Sequence, residues 1–592
     1  MRIMGKARLA VTAIAIAGVA ALSLSGCTTA PKTEPTAAAG GTATVAVVNE
    51  FTSLNSQTPQ GNLDTNGQVG YLNGSYGTGF QYIDNEFKIV HDDKFGTMEK
   101  TSDDPLTVKY TLNKDLKWSD GEPITADDMV LAWAIASGYY DDATIDPASG
   151  EVSSGNQYFS IAASTAGVDT TAYPTVGDDN ESIELVYSKP YVDWELVNPI
   201  AQPAHIVAKK AGLASAADLT KLIASLPKGD PTAPATPNAD FKKAADFVNT
   251  GYDVTAFPTD PDLLVASGPF VLSAWTPGQS LTMTRNEHYA AGLTPKVDKI
   301  VMRIIGDANA QVTALQNGEV DIINPQASAD TLAALKNANA TILSGDQVSY
   351  DHLDLTFSTD GVFADKSVRE AFLKTIPRQQ ILDAIVTPVN PDAKVLDSQL
   401  FLPNQAEYAD TVKNNGSSAY GDVDIEGAKA LLAGKTPEVK LMYNTTNPNR
   451  VDEYQAILAS ATEAGFKIVD AGSPDWSKKL GDGSYDAVLF GWIAPGAGTS
   501  GIPQIFGPVG SGGNYNNYAG TGDLAIETQS TLDKDKLLDL QLQIDKQTFG
   551  DAYGLPLFQL PGIFGTSSKI DGVKFMGNQT GPFWNFWEWS IK

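Results

Sequence analysis

The chain has 592 residues, with 70 Asp and Glu against 41 Lys and Arg, so its formal net charge is −29. A chain of this length predicts two or three domains rather than one compact core. The acidity excludes a nucleic-acid partner, since phosphate binding needs clustered Lys and Arg, and otherwise indicates solubility.

The N-terminus predicts an exported lipoprotein. Residues 1–8 carry three basic side chains and no acid, and residues 9–24 are an apolar run too short to span a bilayer comfortably. The run ends in Leu-Ser-Gly followed by Cys27, the only cysteine, which therefore has no internal disulfide partner. This arrangement resembles a bacterial lipoprotein box, and a chance cysteine behind an ordinary signal peptide is the alternative.

The predicted processing places the protein at the cell membrane. We expect removal of a signal peptide over 1–26, a lipid on Cys27, and a flexible tether over 27–42 that is rich in small residues, Pro and Gly. Acyl chains on the cysteine would hold the folded part on the extracytoplasmic face of the membrane.

Beyond the tether the chain alternates predicted strands and helices. A strand over 42–51 passes into a polar loop that extends to residue 68. Thr125 is the predicted N-cap of a helix over 125–140, because its oxygen and the acids after it meet free N–H groups and the helix dipole. Further strands are predicted over 106–113 and 181–190, and a hairpin over 267–289.

The second half continues in the same way and gives a mixed α/β fold class. A β-α-β succession is predicted over 296–325. The later predicted strands are 350–358, 438–445, 467–471, 485–492 and 553–561, and the later predicted helices are 365–376, 424–434, 451–466 and 534–549.

No motif of an enzyme or a cofactor site stands in its required context. The sequence GAGTSG at 496–501 matches the glycine pattern of dinucleotide-binding folds, but Pro503 and the glycines after it predict that no helix faces a pyrophosphate there. The segment GKT at 434–436 is not a phosphate loop, because Lys429 occupies the position of its first glycine. The four histidines are scattered singly, which is no metal-ligand spacing. We therefore expect no enzyme, no metal and no cofactor.

Two long segments carry a family resemblance. LTVKYTLNKDLKWSDGEPITADDMVLAW (106–133) and the segment over 267–305 resemble, in this order, the bacterial extracellular solute-binding proteins of family 5. These are the dipeptide-, oligopeptide- and nickel-binding proteins of ABC importers. The segments ALQNGEVDI, SVREAF, GAKALLAG and YDAVLFGW extend the resemblance to the C-terminal region.

The resemblance implies a two-lobed, periplasmic-binding-protein-like α/β fold of the Venus flytrap kind. An extra subdomain is expected on the first lobe, and the protein is expected to act as a monomer with an ABC permease and its ATPase. The expected boundaries are 43–84, 251–348 and 556–592 for lobe I, 85–250 for the subdomain, and 349–555 for lobe II.

The resemblance also implies a ligand site between the segments 49–61 and 490–501. Its candidate ligand-binding residues are Glu50, Phe51, Asn55, Gln60, Trp492, Ile493, Ala494, Pro495, Gly496 and Gly498. In peptide binders of the family an aspartate three residues after the tryptophan pairs with the peptide's α-ammonium, and Pro495 stands at that position here.

Several alternatives stay open at the site. Either Glu50, Asp351 or Asp354 meets the amine in place of the missing aspartate, or the ligand has no amine. Trp492 either stacks on a ligand or packs in the core, whereas the aromatic segment FWNFWEW (583–589) is expected to be core packing.

Three functions are compatible with these residues. The first is a lipid-anchored receptor that delivers peptides to an ABC permease. The second keeps the receptor and changes its ligand to an oligosaccharide or another uncharged solute. The third is a surface hydrolase or sensor on this fold, which requires a nucleophile or metal constellation that the sequence does not display.

Overall fold

The computed structural model describes residues 40–145, 152–162, 165–493, 498–499 and 501–592. The predicted signal peptide, Cys27 and most of the predicted tether therefore lie outside the described residues. No helix within the described ranges has the length and apolar character needed to cross a membrane.

The described residues form strands and helices in alternation along most of the chain. The strands, numbered in chain order, are β1 (Thr42–Val47), β2 (Gln81–Ile83), β3 (Ile89–His91), β4 (Gly96–Asp103), β5 (Leu106–Leu112), β6 (Thr144–Ile145), β7 (Val152–Ser154), β8 (Thr175–Val176), β9 (Ser182–Val186), β10 (Phe270–Thr276), β11 (Ser280–Arg285), β12 (Lys299–Ile304), β13 (Ile322–Ile323), β14 (Thr341–Leu355), β15 (Glu438–Met442), β16 (Lys467–Asp470), β17 (Ala487–Ile493), β18 (Gly554–Thr566), β19 (Ile570–Asp571) and β20 (Ser590–Ile591).

The helices, numbered in the same way, are α1 (Asp64–Asn73), α2 (Ala126–Ser137), α3 (Ala204–Ala211), α4 (Ala216–Ser225), α5 (Ala239–Thr250), α6 (Ala308–Gln316), α7 (Ala329–Asn337), α8 (Lys366–Leu373), α9 (Arg378–Ile385), α10 (Tyr408–Thr411), α11 (Ile425–Leu432), α12 (Pro448–Ala464), α13 (Gly501–Phe506), α14 (Gly522–Ser530) and α15 (Lys534–Gly550). Short 3₁₀ turns include Trp194–Leu196 and Gly581–Glu588.

One mixed sheet of ten strands runs through the molecule in the order β10-β11-β12-β1-β13-β18-β14-β17-β15-β16. Strand β1 is parallel to β12 and β13, and β15 is parallel to both β16 and β17. The two long central strands β14 and β18 pair antiparallel and connect these two parallel regions. A separate sheet, β4-β5-β9-β8, belongs to the inserted segment between β1 and β10.

Three large apolar clusters account for most of the buried core. One lies within residues 80–291, where the β4-β5-β9-β8 sheet packs on α2 to α5. The second contains β1 and β10 to β12 with aromatic residues near the C-terminus, and the third contains the end of β14 with β15, β17 and the helices α8, α9, α11 and α12. The lobe boundaries given above remain a prediction.

Local sequence patterns predicted several elements correctly. Helix α2 begins with a capping box in which the Thr125 hydroxyl accepts from the Asp127 N–H at 3.3 Å and Asp128 accepts from the Thr125 N–H at 2.8 Å. The predicted hairpin is β10 and β11. Core packing of the C-terminal aromatic segment is confirmed, since Phe583, Phe586 and Trp589 are fully buried.

Several helices stand where the sequence predicts none, and two of them, α1 and α13, lie next to predicted site segments. Helix α1 occupies part of the stretch predicted as a polar loop. The sequence did not predict this helix because DTNGQVGYLN has no apolar stripe at helical spacing. It is held by its neighbours, with Tyr71 donating to the Trp584 carbonyl at 2.9 Å, and it ends at Gly74, whose φ of 84° suits glycine.

Helix α13 begins at Gly501, the last residue of the GAGTSG segment, where the sequence predicts no helix. Its proline, Pro503, falls in the first turn, where the missing N–H has no helical partner to lose. The helix ends after six residues at Phe506, before the turn that follows.

Candidate ligand-binding site

A cavity of about 430 Å³ lies at the middle of the ten-stranded sheet, between its two parallel regions. The ends of β1 and β13 and the first turns of α1 form one wall, and β14, β18 and the start of α12 form the other. A second hollow of about 430 Å³ is lined only by the α10 region and α15. The first cavity is the better candidate site, because segments far apart in the chain meet there.

The cavity wall is rich in amide side chains. Each amide offers both donors and an acceptor, which suits the peptide bonds or hydroxyl groups of a ligand. The amide residues are Gln68, Asn324, Gln326, Gln347, Asn447, Asn449, Asn578 and Gln579. Apolar contacts come from Val47, Phe575, Met576 and Phe583.

Arg450 is the one cation among the described residues that line the cavity, and it is already paired. Its guanidinium contacts both oxygens of Asp351, at 2.5 and 2.8 Å, and lies 3.3 Å from Glu453. Burial lowers the pKa of Arg450, but its acidic neighbours, Asp351 first and then Glu453, outweigh burial and raise it above its usual value. Burial, reinforced by the nearby Asp351, holds the pKa of the Glu453 carboxyl well above its usual range even though Arg450 lowers it. Burial and the charge of Asp351 thus favour the neutral form of Glu453, and Asp351 is the main counter-charge of Arg450.

The pleat of β14 and β17 decides which predicted site residues can face this cavity. Asp351 lines it and pairs in register with Gly491, where an added Cβ would lie 3.2 Å from the Asp351 carboxylate. Trp492 pairs with Tyr350 and so points to the opposite face of the sheet. There its ring runs parallel to those of His352 and Tyr515, each with its centroid at 5.8 Å.

The predicted residues of the first loop are mostly structural. Phe51 is 1% exposed and packs edge-on against Trp275, at 5.2 Å between ring centroids. The Asn55 amide donates to the Val248 carbonyl at 3.0 Å and accepts from the Gln57 N–H at 3.1 Å. Gln60 is exposed and donates to the carbonyl of Asn249.

The three acids proposed to replace the missing aspartate all have partners. Glu50 accepts from the Gly278 N–H at 2.8 Å, and Asp351 pairs with Arg450. Asp354 contacts His352 Nδ1 at 2.9 Å and accepts from the Tyr553 hydroxyl at 3.2 Å. None of them is free to receive a ligand amine without losing a contact.

The second predicted segment is described only in part. Ile493 ends β17, whereas Ala494, Pro495 and Gly496 lie outside the described residues. The Thr499 N–H donates to both oxygens of Asp193, at 3.0 and 2.8 Å, and its hydroxyl donates at 3.2 Å. An added Cβ on Gly498 would lie 2.6 Å from Leu196, so the close approach of this glycine is to the protein's own 194–196 turn.

Apart from Asp351, the described residues of the cavity lining were missed from the sequence, and Asp64 and Gln68 of α1 are two of them. Both lie in the stretch predicted as a loop. A single acid and a single amide in a polar stretch form no sequence pattern that predicts a ligand site. The spacing of four residues would have indicated a shared face only if the helix had been recognised.

The fold and the cavity define a two-lobed α/β binding protein of the periplasmic type, and the comparisons with known proteins agree. Residues 95–514 match the model of the bacterial extracellular solute-binding proteins, family 5. The chain belongs to this family, whose members are the solute-binding components of ABC importers.

Relatives and solved structures support the same assignment. The chain is 26% identical over 497 residues to the oligopeptide-binding protein OppA of Mycobacterium tuberculosis. The aligned region covers 80% of this chain and 73% of OppA. It is 23% identical to an uncharacterized lipoprotein of Mycobacterium leprae, over 87% of each chain.

Among solved structures, the periplasmic EDTA-binding protein EppA superposes with a TM-score of 0.78 at 22% identity, covering 94% of this chain and 97% of its own. The oligopeptide-binding protein AppA of Bacillus subtilis, solved with a nonapeptide, gives 0.63 at 18% identity, covering 94% and 100%. These likenesses confirm the predicted fold class.

Proposed function

We propose that this chain is the lipid-anchored receptor of an ABC importer that captures peptides and delivers them to the permease and its ATPase. The observation that carries the proposal is the amide-rich cavity between the two parallel regions of the central sheet. Amide side chains pair with the N–H and C=O groups of any peptide backbone, so they bind peptides with little regard to sequence.

The dimensions of the sheet suit a short extended peptide. Three strand spacings separate β1 from β14, which is about 14 Å. An extended chain advances about 3.3 Å per residue, so about four residues fit across this distance. The OppA and AppA relatives, which are named as oligopeptide-binding proteins, agree with such a ligand.

Closure of two lobes around the ligand is part of the proposal. Strands β14 and β18 connect the two regions of the sheet, so a hinge would lie on them, near residues 349 and 555. A ligand that touches both walls of the cavity stabilises the closed form, since only differential affinity for the two forms shifts their populations.

The membrane anchor is proposed to be the lipid on Cys27, and the protein is proposed to act there as a monomer. The named lipoprotein relative supports the anchor. In cells given a labelled fatty acid, the protein should incorporate the label and remain with the membrane. A Cys27→Ser variant should lose the label, and retention of label by this variant would place the lipid elsewhere.

The ligand class is tested on the purified chain from residue 28 onward. Native mass spectrometry identifies any ligand that copurifies, and thermal unfolding is measured with a randomised tetrapeptide pool and with a pool of neutral oligosaccharides. Peptides should raise the melting temperature. If the oligosaccharides raised the melting temperature and the peptides did not, the peptide proposal would be overturned in favour of an uncharged solute. The EDTA-binding neighbour shows that this fold is not restricted to peptides.

A further inference from the structure

One charge in the cavity lining has no partner, and it is negative. The charged residues of the lining are Asp64, Asp351 and Arg450. Asp351 and Arg450 neutralise each other at 2.5 Å. Among the described residues, Asp64 has no hydrogen-bond or ion-pair partner, so the described part of the cavity lining presents a single uncompensated carboxylate.

Asp64 is half-buried in the first turn of α1. Burial raises the pKa of its carboxyl, whereas the N–H groups at the start of the helix favour the ionised form. A carboxylate partly removed from water interacts more strongly with a cation than an exposed one does, because the local dielectric is lower.

Gln68 is a second, independent sign of a missing ligand group. It follows Asp64 by one helical turn, so both side chains lie on the same face of α1 and both line the cavity. Gln68 is 8% exposed, and its Oε1 is buried with no hydrogen-bond partner. The Gln68 Nε2 donates to the Gln579 carbonyl at 3.4 Å. This contact fixes the orientation of the amide, so the atom without a partner is the acceptor oxygen. A buried acceptor without a donor is costly, and a ligand N–H would satisfy it.

We propose that Asp64 and Gln68 receive a protonated amine of the ligand. For a peptide this amine is the terminal α-ammonium, and the carboxylate and the amide oxygen accept two of its three N–H donors. This inference rests on the proposed function for the identity of the rest of the ligand. Asp64 thereby takes the role of the aspartate that is absent at Pro495. The other three candidate acids, Glu50, Asp351 and Asp354, already have partners.

The same charges argue against an anionic ligand in this cavity. Arg450 pairs with Asp351 at 2.5 Å and lies 3.3 Å from Glu453, so it offers no free charge, and no other described residue of the lining is a cation that could compensate an anion. An anion would also face Asp64 without a cation between them.

The experiment compares ligands that differ only in the amine, with melting temperature and calorimetric affinity as readouts on the chain from residue 28. The first pair is a randomised tetrapeptide pool without Lys and its N-acetylated form, and a third pool is acetylated but contains Lys. The second pair is a glucosamine tetramer and its N-acetylated form. The free forms should bind and the acetylated forms without Lys should lose about tenfold or more in affinity. Binding of the acetylated pool only when Lys is present assigns the amine to a side chain.

The variants test the residues. Asp64→Asn keeps the shape of the side chain and should lower the affinity for the free tetrapeptide pool about tenfold or more. Gln68→Met should lower this affinity less. Asp330→Asn is the matched control, because Asp330 also lies in the first turn of a helix, α7, and is exposed outside the cavity. Circular dichroism and the melting temperature without ligand establish that each variant is folded.

The outcomes separate this inference from the proposed function. Equal affinity for free and acetylated peptides, or unchanged affinity in Asp64→Asn, overturns the role of Asp64 and leaves a peptide receptor. Binding of the free glucosamine tetramer alone overturns the peptide proposal and supports the amine site. Failure of every amine-bearing probe to bind overturns the amine site.

Discussion

The buried group of Arg450, Asp351 and Glu453 predicts a strongly non-additive pair of substitutions. Asp351→Asn removes one carboxylate but leaves an acceptor for Arg450, and Glu453 lies 3.3 Å away and can ionise in its place. We expect a loss of about 2 kcal/mol in unfolding free energy, the value of one hydrogen bond to a charged group. Because burial and Asp351 favour the neutral form of Glu453, Glu453→Gln should cost less than about 1 kcal/mol.

The double variant removes both carboxylates and leaves Arg450 buried without a counter-charge, which costs about 3–5 kcal/mol. The single losses sum to at most about 3 kcal/mol, so a double loss at the middle of this range exceeds their sum by about 1 kcal/mol, as expected for residues in contact. Urea unfolding of the ligand-free protein at pH 7, followed by circular dichroism and tryptophan fluorescence, measures all four proteins. Losses that add to within about 0.5 kcal/mol would show that Glu453 does not substitute for Asp351, and the assignment of its proton would then be wrong.

Three further predictions concern residues outside the cavity. Burial raises the pKa of Asp128 to about 6 from 3.8, so protonation favours the folded state. Relative to Asp128→Asn, the wild type should gain up to about 3 kcal/mol as the pH falls from 7 to 4, and urea unfolding that shows a constant difference would contradict this. Trp492→Ala should lower the unfolding free energy by about 2–4 kcal/mol and leave peptide affinity within about threefold, since Trp492 faces away from the cavity; a large loss of affinity measured by calorimetry would restore it to the site. The Asp193–Thr499 contacts join the predicted subdomain (85–250) to the predicted lobe II (349–555), so they would stabilise a closed form. Asp193→Ala should therefore speed ligand dissociation about tenfold in stopped-flow fluorescence, and an unchanged rate would show that these contacts do not hold the closed form.

The fold was largely predictable because its elements carry local signals. The capping residues of α2 mark its start, and the alternating apolar residues of β5, β10 and β11 mark strands that bury one face. The long apolar stretch ending at Trp492 correctly predicted β17. The register between β17 and β14 could not be predicted from the sequence of β17 alone. This register places Gly491, and not Trp492, beside Asp351. A shift of one residue in such a pairing moves every side chain to the other face.

The candidate site was poorly predicted for a physical reason. A helix is recognised by the apolar stripe that it buries, whereas α1 buries polar side chains beside a cavity that needs them. The features that make Asp64 and Gln68 suitable for a ligand therefore remove the pattern by which α1 would be recognised. The loop residues Phe51 and Asn55 have the opposite character, since their own contacts with the core explain them without a ligand.

With the amine held by Asp64, the two walls of the cavity have different roles in recognition. The α1 wall supplies the charge, and the α12 wall supplies the uncharged amides Asn447 and Asn449 beside an Arg450 that is already neutralised. A ligand could then be held on the α1 wall by its amine in the open form, and only contacts of its backbone with the α12 wall would favour closure. Selection for an amine and selection for length would thus be exerted by separate walls, so a single amino acid should bind Asp64 weakly without closing the protein, and a tetrapeptide should do both.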